Sequence, residues 1–169
     1  VMAICDVSGS VSQYSRFLLM FLYSLTEVIA NVRAFAFSSD LQEVTQWFLR
    51  ENLDTAIELT LKEVGGGSTD YGRSLDTFTH QCLQQVDHRT TVIVLGDARN
   101  NYGDPRTELL QAIHNRARQL IWLNPESRLR WGSGDSEMKR YKPHCSWAEP
   151  CQSLNQLERF ISNLLRYSQ

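Results

Sequence analysis

Short apolar runs alternate along this chain with longer segments of helical periodicity, and this alternation constrains the fold more than any other feature. The first run, residues 1–5, is continuously apolar, as expected for a strand buried on both faces of a parallel sheet. Parallel strands are joined by crossovers that usually contain a helix, so the alternation predicts βαβ units. We therefore expect an open, doubly wound, mainly parallel α/β sheet with helices on both faces.

The same periodicities predict the individual elements. Predicted strands cover residues 1–5, 32–37, 42–48, 90–95 and 119–123. Predicted helices cover residues 53–64, 72–86, 105–118 and 154–166, together with a first helix that starts near Ser12 and has apolar positions at helical spacing over 17–28. A turn at Ser38-Ser39-Asp40 makes 32–37 and 42–48 a hairpin, which gives the sheet one antiparallel edge strand.

Residues 126–143 have no clear period and predict a long, irregular, polar connection. Long ordered loops are commonly packed by their own side chains. We expect the large side chains in and beside this segment to pin it to the domain; they are Trp131, Met138, Tyr141 and Trp147. Asp104 and Pro105 are expected to start the helix that precedes it, because proline favours the first helical position.

Composition narrows the class of protein without naming a partner. A chain of 169 residues with 42% hydrophobic and 21% charged residues suits one globular domain, residues 1–169. The net charge of -2 gives no reason to expect a nucleic acid or an anionic membrane as partner. No apolar run has the length of a membrane span or of a signal peptide, and the chain begins directly in a strand. We expect a domain cut from a longer protein.

The cysteines form neither a C-x-x-C pair nor a zinc-ligand pattern with histidine. Cys5 and Cys82 fall in apolar patterns and are expected in the core. Cys145 and Cys151 could pair, but a reduced chain in the cytoplasm is the expectation that we favour.

Oxygen-bearing side chains and glycines collect in three loops, 6–12, 65–72 and 97–105. In open α/β sheets, ligands bind beyond the carboxyl ends of the strands, where the strand order reverses. The predicted topology brings the three loops together at that edge. The sequence therefore predicts a binding site there.

Two carboxylates and three hydroxyls stand out in these loops: Asp6, Ser8, Ser10, Thr69 and Asp97. Hard oxygen donors suit Mg²⁺, with Mn²⁺ or Ca²⁺ as alternatives, whereas zinc and copper favour sulfur or imidazole. Alternate positions 6, 8 and 10 can face one point when the loop curls. Two carboxylates nearly balance the charge of a divalent ion, and the site can still attract an anionic ligand. An Asp or Glu of a protein partner can therefore complete the coordination of the ion.

These residues resemble the metal-ion-dependent adhesion site of von Willebrand factor type A (VWA) domains, in which D-x-S-x-S, a threonine near glycines and a later aspartate share the metal. The resemblance spans nearly the whole chain and is most similar to the CoxE-like bacterial branch. The further segments that carry it are Tyr14-Ser15-Arg16-Phe17, Phe35-x-Phe37-Ser38, the Gly-Gly-x-x-Asp-x-Gly loop around Thr69, Ile121-Trp122-Leu123-Asn124-Pro125 and Trp131-Gly132-x-Gly134-Asp135-Ser136.

The resemblance implies a non-enzymatic binding domain. In the CoxE-like branch it implies a MoxR-type AAA+ ATPase as partner, with an adaptor or co-chaperone role in maturing or remodelling a client protein. For the metal, we expect direct coordination by Ser8, Ser10 and Thr69. Asp6 and Asp97 are expected to hold it largely through water.

Two departures from the family pattern affect the predicted site. The last metal loop reads Gly96-Asp97-Ala98-Arg99 where the family usually has Asp-Gly, so its backbone is less free and Arg99 adds a charge beside the metal. The glycine loop has one extra residue, which leaves Ser68 as an alternative to Thr69. Asp70 and Arg99 lie beside predicted ligands, where each could tune the site or form a solvent-exposed ion pair, and we favour the exposed pair.

The principal rival is a magnesium-dependent, phosphatase-like hydrolase that uses Asp6 as its nucleophile. Such enzymes need a second acid two residues later as general acid and base, and Ser8 stands there. Gly-x-Ser-x-Gly and Gly-Lys-[Ser/Thr] are both absent, which disfavours a serine hydrolase and a P-loop. A plain helix cap would explain Asp6 or Ser8 alone, but not three oxygen-rich loops.

Overall fold

A single six-stranded sheet organises the computed structural model, which describes residues 1–167. Its strands are β1 (Met2–Asp6), β2 (Arg33–Phe37), β3 (Leu41–Glu43), β4 (Thr91–Leu95), β5 (Gln119–Asn124) and β6 (Trp147–Pro150). The strand order is β3-β2-β1-β4-β5-β6, and every neighbouring pair is parallel except β2 with β3. The predicted doubly wound, Rossmann-like sheet with one antiparallel edge is confirmed.

Helices cover both faces of this sheet. They are α1 (Ser12–Val28), α2 (Thr45–Arg50), α3 (Leu53–Glu63), α4 (Tyr71–Cys82), α5 (Thr107–Arg116), α6 (Met138–Tyr141) and α7 (Leu154–Tyr167). Successive side chains of β1 point to opposite faces of the sheet, so both faces need a layer of helices. Ala3 and Cys5 join a core with α1, α3 and α7. Met2 and Ile4 join a second core with α4 and α5.

The prediction of one strand over 42–48 is wrong. The strand β3 ends at Glu43, and the chain turns into α2. Thr45 ends the pairing with β2, because its Oγ1 accepts the N–H of Ala34 at 3.0 Å. Val44 and Phe48 then lie one helical turn apart and are both buried in the first core. The apolar pattern of residues 42–48 did not distinguish strand from helix, because the segment contains the end of β3 and the start of α2.

The connection after β5 is less irregular than predicted. It holds a 3₁₀ turn at Arg128–Arg130 and the short helix α6, and a sixth strand, β6, follows it. Trp131, Met138 and Tyr141 are buried, as expected for side chains that pin a long segment. The strand β6 was not predicted, because a four-residue edge strand with one buried residue, Ala148, carries almost no hydrophobic pattern.

The helix α5 begins at Thr107 and not at the predicted Pro105. Arg106 has a left-handed backbone (φ 49°), which interrupts any helix that would start before it. Its N–H is satisfied by Oδ1 of Asp104 at 2.9 Å. The remaining predicted elements are present, and α1 begins at Ser12, as predicted.

The order of the strands reverses between β1 and β4, the two central strands. From this switch point, β1 leads towards β2 and β4 leads towards β5, so the loops after β1 and β4 diverge and leave a crevice at the carboxyl edge. None of the helices that the structure describes has the length and apolar character needed to cross a lipid bilayer.

Candidate metal centre

The first loop of the site folds back on the end of β1. Asp6 and Ser8 are completely buried, and Oδ1 of Asp6 accepts hydrogen bonds from the Ser8 N–H at 2.9 Å and the Ser8 hydroxyl at 2.6 Å. A 3₁₀ turn at Gly9–Val11 then leads into α1 and leaves Ser10 at the surface. The side chains of positions 6, 8 and 10 therefore face the same crevice, as predicted.

The glycine-rich loop 65–70, the Thr69 loop, lies against this turn. The N–H of Gly9 donates to the carbonyl of Gly67 at 3.1 Å, and the N–H of Gly66 donates to the carbonyl of Val7 at 3.0 Å. The sequence did not decide whether Ser68 or Thr69 faces the site, and these backbone contacts fix the register of the loop. They place Thr69 in the crevice with 8% of its surface exposed.

Three hydroxyls form a triangle at the base of the crevice. The Thr69 hydroxyl donates to Oγ of Ser8 at 2.7 Å, and Oγ of Ser10 lies 3.2 Å from Ser8 Oγ and 3.2 Å from Thr69 Oγ1. Ser68 is exposed and lines the cleft above the triangle. Of the two candidates in this loop, Thr69 is the one whose hydroxyl joins Ser8 and Ser10.

The Asp97 loop (96–101) follows β4 and supplies the second carboxylate. Oδ2 of Asp97 accepts from the Ser10 hydroxyl at 3.3 Å, and Oδ1 accepts from the Arg99 N–H at 2.9 Å. Asp97 is completely buried. The structure thus brings together all five side chains that the sequence analysis selected.

The donor set fits a small divalent cation. An ion that holds oxygens at 2.0–2.1 Å in an octahedron separates neighbouring ligands by about 2.9 Å. The hydroxyl–hydroxyl distances of 2.7, 3.2 and 3.2 Å are close to that spacing. Among the residues that the structure describes, no group of three or more His, Cys, Asp or Glu side chains is placed to hold a metal, so the site depends on hydroxyls as well as carboxylates.

Tyr71 joins all three loops and was not identified from the sequence. Its hydroxyl donates to Oδ2 of Asp6 at 2.7 Å and accepts from the Ala98 N–H at 3.1 Å. Its own N–H donates to Oδ1 of Asn100 at 2.7 Å. Its position two residues after Thr69 is the signal that could have marked it. An aromatic residue at the start of a helix otherwise indicates only core packing.

Burial dominates the electrostatics of the site. Burial raises the pKa of the Asp6 carboxyl, although hydrogen bonds from Ser8 and Tyr71 oppose the shift. Burial and the neighbouring Asp6 charge together raise the pKa of Asp97 to about 7. Burial also raises the pKa of the Tyr71 phenol, which keeps it a donor to Asp6. Two adjacent buried carboxylates without a cation hold protons readily, and a divalent ion would replace those protons.

The structure explains how the Asp97 loop accommodates alanine where the family usually has glycine. Ala98 takes the left-handed conformation (φ 61°) that glycine would adopt at no steric cost. The exposed ion pairs predicted for Asp70 and Arg99 are wrong. Asp70 caps α4 by accepting the Arg73 N–H at 2.9 Å, and the Arg99 side chain, only 14% exposed, pairs with Glu126 at 2.8 Å. Glu126, which receives this pair, was not identified from the sequence.

A cleft of about 270 Å³ opens above the hydroxyl triangle. Its lining is Gly9, Ser10, Gly66, Gly67, Ser68, Thr69, Asn101 and Asp135. Five of these are glycines or serines of two loops, so backbone and short polar side chains surround the entrance.

Solved structures confirm the class of fold. A von Willebrand factor type A protein from Catenulispora acidiphila is similar over 96% of this chain and 41% of its own, with 13% identity and a TM-score of 0.63. BatB from Bacteroides thetaiotaomicron is similar over 99% of this chain and 97% of its own, with 16% identity and a TM-score of 0.67.

A third similar structure is proximal thread matrix protein 1 from the mussel byssus, described with a zinc-occupied MIDAS motif. It matches over 99% of this chain and 46% of its own, with 15% identity and a TM-score of 0.63. The chain therefore spans less than half of two of these three proteins. A comparison with curated protein sequences gives no significant match.

A six-stranded, doubly wound sheet with an oxygen-rich crevice at its switch point defines the VWA class of α/β domains. Within that class, the model of the VWA domain containing CoxE-like proteins matches residues 1–159. The chain belongs to this family, and the resemblance seen in the sequence is confirmed.

Proposed function

We propose that this protein is a divalent-metal-dependent protein-binding module, with Mg²⁺ at the crevice and an Asp or Glu of the partner as the last ligand. One observation carries the proposal: oxygens of Asp6, Ser8, Ser10, Thr69 and Asp97, from three separate loops, meet within hydrogen-bonding distance at the switch point of the sheet. A turn or a helix cap does not need such a convergence.

The cation would supply a positive centre for the partner's carboxylate. Ser8, Ser10 and Thr69 would hold it directly, and the buried charges of Asp6 and Asp97 would offset its charge. Oxygen donors favour Mg²⁺ or Mn²⁺ over softer ions, although the mussel protein shows that a site in this fold can take zinc.

We infer that the module is not an enzyme, because Asp6 is poorly placed to attack a substrate. Both oxygens of its carboxylate accept short hydrogen bonds, Oδ1 from Ser8 and Oδ2 from Tyr71, and the side chain is completely buried. The residue two positions later is Ser8, which cannot act as the general acid that phosphatase chemistry requires. The rival hydrolase therefore lacks both an accessible nucleophile and its acid.

The CoxE-like family supports a more specific role. We propose that the domain acts with a MoxR-type AAA+ ATPase in maturing or remodelling a client protein, and that it does so in the cytoplasm. Membership of the family, the D-x-S-x-S loop and a cysteine pattern without a disulfide framework support this assignment.

Thermal unfolding with Mg²⁺, Mn²⁺ or EDTA tests the metal site, with a p-nitrophenyl phosphate assay on the same sample. We expect both cations to raise the Tm of the wild type, Asp6→Ala to remove this effect, and no turnover. Failure of millimolar Mg²⁺ and Mn²⁺ to change the Tm would overturn the proposal. Turnover that requires Asp6 would establish the hydrolase instead.

The partner is tested by binding a purified MoxR-type ATPase encoded beside this protein. Binding that disappears with EDTA and in Asp6→Ala supports the adaptor role. Binding that survives both changes shows that the metal crevice is not the contact.

A further inference from the structure

The Asp97 loop is tied along its length to a part of the chain that supplies no metal ligand. The carbonyl of Asp97 accepts from Nδ2 of Asn124 at 3.3 Å, and the carbonyl of Ala98 accepts from the N–H of Glu137 at 2.8 Å. Both partners belong to β5 or to the connection that follows it. The conformation of this metal loop is therefore set from outside the three metal loops.

The side chain of Arg99 makes the strongest of these connections. Its Nε and one terminal nitrogen donate to the two carboxylate oxygens of Glu126, both at 2.8 Å. The other terminal nitrogen donates to Oδ1 of Asp135 at 3.1 Å and to the carbonyl of Ser133 at 3.0 Å. Oδ2 of Asp135 in turn accepts the N–H of Asn101 at 3.0 Å. The guanidinium is thus held between two carboxylates in a largely buried arrangement.

This arrangement acts on a metal ligand through the backbone of Arg99. The Arg99 N–H donates to Oδ1 of Asp97 at 2.9 Å, which turns Oδ2 towards the hydroxyl of Ser10. If the Arg99 side chain were released, the backbone bonds of Asp97 and Ala98 would remain, but the Arg99 N–H and the Asp97 carboxylate would be held less firmly in their orientation. Groups that orient a ligand in this way contribute to metal affinity without touching the metal.

We propose that Arg99 is a positioning residue for the metal site, clamped by Glu126 and Asp135 so that Asp97 presents Oδ2 to the cation. This inference rests on the proposed function, since it assumes that the crevice binds a divalent ion. It also makes the connection 126–137 part of the metal site, although that segment carries no ligand.

Electrostatics alone predicts the opposite effect of removing Arg99. A positive charge beside a cation site weakens binding, so Arg99→Gln would tighten metal binding if charge were the whole contribution. A residue that serves only global stability would leave the affinity of the folded protein unchanged. The clamp alone predicts weaker binding, and the direction of the change separates the three cases.

The experiment is calorimetric titration of Mn²⁺ into wild type, Arg99→Gln and Arg99→Lys at 10 °C, with circular dichroism in EDTA to verify folding. We expect the Kd of both variants to rise about tenfold or more, because Lys keeps the charge but cannot pair with Glu126 through two parallel bonds. Arg140→Gln is the matched control, since Arg140 is 62% exposed and its ion pair with Glu137 is long, at 3.4 Å. Its Kd should stay within twofold of the wild-type value.

An unchanged or lower Kd in Arg99→Gln overturns the clamp while leaving the proposed function intact. Absence of Mn²⁺ binding in the wild type overturns the proposed function itself. If Arg99→Gln does not fold, Arg99→Lys carries the test, because it keeps the positive charge and loses only the two parallel bonds to Glu126. A Kd of folded Arg99→Lys within twofold of the wild-type value then overturns the clamp.

Discussion

The hydroxyl of Tyr71 lies 2.7 Å from Oδ2 of Asp6 and donates a hydrogen bond to it. The Tyr71 hydroxyl oxygen also accepts the Ala98 N–H, so one phenol links the first metal loop to the Asp97 loop. Packing fixes the ring, which lies edge-on to Phe37 with centroids 4.7 Å apart and beside Trp122 at 5.6 Å. The second core thereby sets the orientation of a carboxylate in the metal site.

Tyr71→Phe should destabilise the metal-free protein and weaken metal binding. The substitution leaves the Ala98 N–H and one oxygen of Asp6 buried without a partner, at a cost of about 1–3 kcal/mol. Urea unfolding in EDTA and Mn²⁺ titration measure the two effects. Tyr23→Phe is the control, because its hydroxyl makes only a long bond of 3.4 Å at the surface. Equal behaviour of the two variants would contradict the role given to Tyr71.

Ser10→Ala should lower metal affinity with little change in folding. Ser10 is exposed, so the lost hydroxyl costs little stability, but the substitution removes one of three oxygens that would contact the ion. Ser68→Ala is its matched control, since Ser68 lines the same cleft outside the hydroxyl triangle. We expect a higher Kd for Mg²⁺ only in Ser10→Ala. A larger loss in Ser68→Ala would instead make Ser68 the ligand of the Thr69 loop.

Asp97→Asn should stabilise the metal-free protein and abolish its response to metal. The amide preserves the shape but removes one of two adjacent buried charges, so at pH 7.5 we expect a gain of about 1 kcal/mol or more. The Tm in EDTA should rise, and added Mg²⁺ should leave it unchanged. A Tm below that of wild type in EDTA would show that the carboxylate stabilises the metal-free fold.

The metal-free protein should lose stability as pH rises from about 4 to 7. In this window folded Asp97, whose pKa is raised to about 7, keeps a proton that the unfolded chain, with a pKa near 3.8, has released. More protons on the folded state mean that the free energy of unfolding falls with pH, by up to about 1.4 kcal/mol per pH unit for one group. Saturating Mg²⁺ displaces the proton and should remove the slope.

Urea unfolding at three pH values within this window, in EDTA and in Mg²⁺, measures that slope. Asp97→Asn serves as the control for other titrating groups, including the histidines. If the variant keeps the wild-type slope in EDTA, Asp97 is not its source.

Gly96→Ala should disrupt the site through sterics alone. A Cβ at this position would lie 2.1 Å from the Tyr71 hydroxyl oxygen and 2.8 Å from Cβ of Asp6. We expect a loss of about 1–3 kcal/mol in unfolding free energy, together with loss of the Mg²⁺-dependent rise in Tm. Gly9→Ala is the control, because its Cβ would meet nothing closer than 3.8 Å. Similar stability of both variants would contradict the tight packing described around Gly96.

The architecture was predictable because buried parallel strands and amphipathic helices have different periods in the sequence. That contrast located β1, β2, β4 and β5, the four strands that position the site. It failed at 42–48, where strand and helix share one apolar run, and at β6, which is too short and too exposed to carry a pattern. The predicted start of α5 was wrong because the left-handed backbone of Arg106 delays the helix to Thr107.

The five proposed ligands were recognisable in the sequence because their chemistry is carried by residue type and local spacing. Hard oxygen donors at alternate positions after a buried strand already indicate a cation site. Tertiary structure decided which hydroxyl of the Thr69 loop enters that site, since the backbone bonds of Gly66 and Gly67 set its register. It also brought the Tyr71 hydroxyl to Asp6 and the Glu126 carboxylate to Arg99, because the members of each pair are far apart in the chain and no local pattern records that they will meet.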